Sequence, residues 1–198
     1  MGKKPRKVTQ KRIRRRRLRR SSRWWWGLGL AGVALFATLV LLARGGGRLA
    51  LEVGEEVPLE GAEHIPIDTQ PEYRTRPPAS GPHYARSLQP GFYEEVVLKE
   101  VPYPEGYLVH NLEHGYVIFW YDCSQLTDDA CDELKALIQS VMSERPGAKL
   151  IAFPYPGLEA PVVLTSWGRR MALPNPNAED MRAFVAANYN RAPEPGAP

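Results

Sequence analysis

Residues 116–147 read YVIFWYDCSQLTDDACDELKALIQSVMSERPG, and the change of period inside this stretch decides the fold. Tyr116 to Tyr121 are β-branched or aromatic without a charged interruption, a pattern that suits a central strand covered on both faces. Asp122, Cys123 and Ser124 end the run. Thr127 then stands as an N-cap, with Asp128 and Asp129 in the first turn, where carboxylates complement the helix dipole. Leu134, Leu137, Ile138, Val141 and Met142 recur at helical spacing until Pro146 and Gly147 stop them. A buried strand feeding an amphipathic helix calls for a sheet with helices packed on it.

Toward the C-terminus the same reading places strands at 149–153, 162–166 and 170–173. A last helix follows at 178–189, capped by Asn177, with Met181, Phe184, Val185 and Tyr189 on one face. The tail 191–198 is expected to be disordered. Toward the N-terminus, 55–106 is dense in Pro and Gly, which implies ordered loops joined by short strands, one of them at 95–99. The expected class is therefore α+β: one domain over 53–190 with a small mixed or antiparallel sheet, two helices and a long loop-rich first half. Its second half is similar to that of a thioredoxin-like fold. The redox signature of that fold is missing, because seven residues separate Cys123 from Cys131 where two are needed.

The 198 residues, 43% hydrophobic, can bury one sizeable core, and the charge shows what else the chain carries. Of the 26 Lys and Arg, 13 lie in 1–23, ahead of the first acidic residue, Glu52; from Arg44 on, the other 13 face 22 acidic residues, a net of −9. Next to the basic segment, Trp24 to Ala43 are twenty positions without a charge, enough at 1.5 Å per residue to cross a hydrocarbon core of about 30 Å. Three tryptophans at one edge and the basic residues before them fit a membrane boundary with the basic side in the cytoplasm. The expected layout is a cytoplasmic tail (1–23), a transmembrane helix (24–43), a linker (44–52) and an external domain. The apolar run is too long for a cleaved signal peptide, and the positive-inside pattern accounts for the basic segment without nucleic acid. The sequence points to no particular protein partner. Outside the cytoplasm Cys123 and Cys131 are expected to form a structural disulfide.

Four histidines carry the chemistry: His64, His83, His110 and His114. They sit in Gly61-Ala62-Glu63-His64, in Arg76-Pro77-Pro78-Ala79-Ser80-Gly81-Pro82-His83-Tyr84 and in Val109-His110-Asn111-Leu112-Glu113-His114-Gly115, followed later by Pro154-Tyr155-Pro156-Gly157-Leu158-Glu159-Ala160-Pro161. In that order these segments resemble the family catalogued as domain of unknown function 3105, over about 53–188. Ala79 stands where the family often has threonine. The resemblance implies a membrane-anchored external domain and no assigned reaction.

Neutral imidazole is the commonest metal ligand, and the four histidines, or three with Glu113, would satisfy zinc or copper at about 2.0–2.1 Å. Glu113 alternatively orients one of the rings. Geometry is the condition: on a strand His110 and His114 would lie about 13 Å apart, whereas on a helix or tight turn they share a face. His110-Asn111-Leu112-Glu113-His114 also has the form of the inverted zinc-peptidase motif, but Gly115 and a β run follow at once. Ser80 and Ser166 lack the strand-turn-helix context of a nucleophile. A membrane-tethered zinc or copper site is thus expected. The alternatives are an envelope interaction module, with the histidines as loop fasteners and Phe153, Tyr155, Trp167, Tyr103 and Tyr107 lining a groove, and, third, a metal-dependent hydrolase.

Overall fold

The computed structural model describes residues 53–67 and 69–197. The transmembrane segment expected at 24–43 and the basic tail before it lie outside them. Among the described residues no helix is long and apolar enough to cross a membrane.

The chain forms an α+β domain around a mixed six-stranded sheet. The strands are β1 (Glu55–Glu56), β4 (Gly91–Phe92), β5 (Val117–Tyr121), β6 (Leu150–Pro154), β7 (Val162–Ser166) and β8 (Arg169–Leu173), with β2 (His64–Ile65) and β3 (His83–Tyr84) forming a separate parallel pair. The sheet order is β1-β8-β7-β5-β6-β4. β6 is parallel to both β4 and β5, and the remaining neighbours are antiparallel. The helices are α1 (Pro104–Glu113), α2 (Asp128–Ser143) and α3 (Ala178–Asn188). α2 carries the chain from β5 to its parallel neighbour β6, a β7–β8 hairpin follows, and α3 ends the unit. This is the order strand, helix, strand, strand, helix that the sequence predicts for the second half.

Every residue of β5 is buried, because the sheet is covered on both faces. Val117, Phe119 and Tyr121 point to one side and meet Leu134, Ile138 and Val141 of α2 and Met181, Phe184 and Val185 of α3. Ile118 and Trp120 point to the other and meet Leu108 and Leu112 of α1. At about 1.5–3 kcal/mol per buried large apolar side chain, these two layers are the main favourable term of the fold. Both anticipated caps form: Thr127 Oγ1 accepts the Ala130 N–H at 3.3 Å and Asn177 Oδ1 the Asp180 N–H at 2.9 Å.

Three expectations are corrected. The segment 95–99 is a 3-10 helix, with only Val97 buried. Glu94 and Glu95 there both take the Lys135 ammonium, at 2.8 and 2.7 Å, which turns them outward toward α2 instead of along a ladder. A third helix, α1, grows out of the Pro- and Gly-rich region. Pro104 stands in its first turn, where a missing N–H is no loss. The tail, expected to be disordered, is fastened: the Glu194 N–H donates to the Glu113 carbonyl at 3.0 Å, and Lys149 Nζ donates to the carbonyls of Pro195 (2.9 Å) and Ala197 (2.6 Å).

Candidate metal centre

The site is assembled on the last turn of α1. His110, Glu113 and His114 are spaced i, i+3 and i+4, so the helix puts them on one face. Gly115 ends the helix at φ +88°, and a side chain there would also collide with Asn190, whose Cα would be 2.7 Å from the added carbon. The chain turns directly into β5, which anchors the helix end to the core.

The partners arrive on the β2–β3 pair, where His64 lies in register with His83. The pair is docked by Tyr84, which is fully buried, stacks edge-on against Tyr107 at 4.8 Å and donates its hydroxyl to the Thr69 carbonyl at 2.8 Å. Its ring lies over Gly106, the one place on α1 where a side chain is missing. A methyl added there would stand 2.6 and 2.7 Å from two ring carbons and closer still to a third.

His64, His83, His110 and Glu113 thereby converge, each offering one ligand atom within 4.8 Å of the others. The rings of His64, His83 and His110 are 4.9–5.3 Å apart, centroid to centroid. His83 is fully buried, with Trp167 edge-on at 6.4 Å, whereas the His64 side chain is 52% exposed and leaves one side open to solvent. Glu113, itself buried, brings Oε2 to 3.0 Å from His83 Nε2 and 4.0 Å from His64 Nε2.

Proton placement follows from the partners. His83 Nδ1 lies 2.8 Å from the Gly81 carbonyl, which only accepts, so Nδ1 carries the hydrogen. In the neutral ring Nε2 is then a bare lone pair, and it faces a carboxylate oxygen. His110 Nδ1 is buried without a hydrogen-bond partner. Burial, reinforced by the His114, His83 and His64 rings in that order, pushes His110 down to about 4, which keeps it neutral at physiological pH. The imidazoles of His64, His83 and His110 and the Glu113 carboxylate, converging in this way, fit a divalent ion. Two ligands of a tetrahedral zinc are about 3.3 Å apart, close to the 3.0 Å between His83 and Glu113; His64 would have to swing inward, which its exposure permits.

His114 shares the helix face with His110, their rings 4.3 Å apart, but it stands outside this donor group and beside Glu194, Nε2 to Oε2 3.7 Å. The fourth donor is thus Glu113, which the sequence offered as either a ligand or an orienting partner. Ser80 Oγ accepts the Glu60 N–H at 2.9 Å, a brace for the loop that carries His83. The five grouped aromatics separate. Phe153 is core, Tyr107 stacks on Tyr84, Trp167 walls His83, and Tyr103 and Tyr155 line a polar pocket with Tyr73 and Arg76. Sequence reasoning missed Glu194 and Lys149, which carry no local signal. It also missed the Tyr84–Gly106 contact, because in the sequence Gly106 belongs to the loop-rich region and does not read as a helix position.

Cys123 and Cys131 are joined as a disulfide between the end of β5 and α2, Cα to Cα 5.4 Å. A family model described as "Protein of unknown function (DUF3105)" matches residues 64–198. No curated protein and no solved structure matches the chain.

Proposed function

We propose that this chain, which belongs to the DUF3105 family, is a single-pass membrane protein whose external domain binds a transition-metal ion, zinc or copper, through His64, His83, His110 and Glu113. The observation that carries the reading is the 3.0 Å contact between His83 Nε2 and Glu113 Oε2 with the ring hydrogen already committed to Gly81. Two acceptors in a buried contact repel unless a cation or a proton lies between them. A proton on His83 would satisfy that contact alone and leave His110 Nδ1 orphaned. An ion held by all four residues would engage the His110 ring as well. Held there, it would supply Lewis acidity at a position open to solvent on the His64 side.

The membrane reading rests on the uncharged run 24–43 behind 13 basic residues. The Cys123–Cys131 disulfide agrees with an oxidising compartment outside the cytoplasm.

Elemental analysis of the full chain purified in detergent, after loading with zinc or copper and removal of excess ion, tests the site. The wild type is expected to hold ion in stoichiometric amount and His83→Ala to lose it while keeping its circular dichroism. A wild type that binds neither metal would leave the histidines as loop fasteners and refute the proposal.

A further inference from the structure

The geometry points to a saccharide-binding pocket at the other end of α1, a cavity lined by Glu72, Tyr73, Arg76, Tyr103, Glu105 and Tyr155 that takes a neutral, hydroxyl-rich sugar. It shares no residue with the candidate metal centre and does not rest on that reading.

Three tyrosines from three separate segments meet at this cavity, whose volume is about 360 Å³, within the about 300–1,000 Å³ of small-molecule sites. Two of its walls are fixed before any ligand arrives. Tyr73 donates its hydroxyl to the Pro82 carbonyl at 2.7 Å, and its ring covers Gly81, where an added carbon would stand 2.9 Å from two ring atoms. Tyr155 is buried, with Trp120 edge-on at 5.1 Å and the Arg76 guanidinium 5.5 Å from its ring centre.

Tyr103 is different. It is 39% exposed and holds φ +49°, a left-handed conformation that is unfavourable to a residue with a bulky side chain. The start of α1 does not need a tyrosine there, since its side chain makes no capping hydrogen bond. Glycine would hold the same turn without strain. What the strain secures is an exposed aromatic ring on the cavity, the kind of outlier that clusters at ligand sites.

The polar lining selects the ligand. A phosphate or carboxylate would meet the carboxylates of Glu72 and Glu105, and an ammonium group would meet the Arg76 guanidinium. A sugar hydroxyl both donates and accepts, so neighbouring hydroxyls can take a bond from the guanidinium and give one to a carboxylate without net charge, each bond charge-assisted. Burial, then the Glu105 carboxylate, raises the hydroxyls of Tyr73 and Tyr155, so both keep their protons at physiological pH. Tyr103 adds an apolar ring face with a polar tip, the match for a pyranose, which is apolar on its C–H faces and polar at its edge.

Isothermal titration calorimetry tests the inference, with the full chain in octaethylene glycol monododecyl ether, a detergent without a sugar headgroup. Maltotetraose, cellotetraose and tetra-N-acetylchitotetraose serve as probes, and the wild type is expected to bind at least one of them. Tyr103→Gly relieves the strained position, so it is expected to unfold no more easily than wild type and yet to weaken that binding at least tenfold. Arg76→Ala is expected to weaken it as much, with unchanged circular dichroism. No binding of any probe at concentrations up to about 10 mM would overturn the pocket, and so would undiminished binding by Tyr103→Gly.

Discussion

Gly106→Ala sets two opposed effects against each other, and the structure decides the sign. In an ordinary helix the change gains up to about 1 kcal/mol from reduced backbone freedom in the unfolded chain. Here the added methyl would stand 2.6 and 2.7 Å from ring carbons of Tyr84. The ring has no easy retreat, because it is fully buried, backed by Tyr107 and tied through its hydroxyl to Thr69. Overpacking of this kind costs about 1–3 kcal/mol, so a net loss of about 1–2 kcal/mol is expected in urea denaturation followed by tryptophan fluorescence. Relief of the clash also pushes β3 away from α1, and His83 adjoins Tyr84 in that strand. Zinc affinity, measured by competition with a chromophoric chelator, is therefore expected to fall at least tenfold, a loss of about 1.4 kcal/mol. In a Tyr84→Ala background the same substitution should become neutral or stabilising. A Gly106→Ala protein that is more stable than wild type, with unchanged zinc affinity, would refute the role assigned to this contact.

Other parts of the fold give further tests. Burial pushes the Asp122 carboxyl up, but hydrogen bonds from Ser124, Gly157 and Leu158 outweigh it and hold the group below its ordinary 3.8. A depressed carboxyl stabilises above its unfolded value and loses that contribution as pH falls through the folded one. Asp122→Asn should thus cost about 1–3 kcal/mol at pH 7 and flatten the loss of stability that the wild type shows below about pH 4, read by urea midpoints across pH. Replacing Cys123 and Cys131 together by alanine opens a loop with a sequence separation of 8. Chain entropy alone puts the resulting drop at about 2.5 kcal/mol, and an unchanged denaturation midpoint would contradict it. Thr165→Val strands the buried Trp120 indole N–H, which now donates to Thr165 Oγ1 at 2.7 Å. A destabilisation of about 1–3 kcal/mol is expected, and a smaller loss in calorimetry would mean that the indole finds another acceptor.

The regular half of the chain was legible because its signals are local. The run 116–121, the cap at Thr127 and the faces of α2 and α3 follow from periods of two and 3.6, and each lies within a residue or two of its expected place. The first half was less so. Pro104 reads as a break until the structure shows it in a first turn, and 95–99 reads as a strand until Lys135, some forty residues on, claims its acidic residues. The candidate site was legible in its members and not in its partition. His64, His83 and His110 come together as the sequence suggested, but Glu113 belongs with them and His114 does not. That division is set by where β2, β3 and the tail dock on α1, contacts between segments 30 to 80 residues apart that no local pattern encodes.

The lysine that clasps the chain end has a practical bearing on how the protein is handled. Lys149 holds the carbonyls of His114, Pro195 and Ala197 with one ammonium group, so Ala197 is fixed close to the His114 backbone and a tag added to the C-terminal side of it has the histidines within reach. A C-terminal polyhistidine tag would set six extra imidazoles at a high effective concentration next to the ions to be counted. It would report metal whether or not the protein binds any. Purification handles belong at the other end, or must be cleaved before a single ion is assayed.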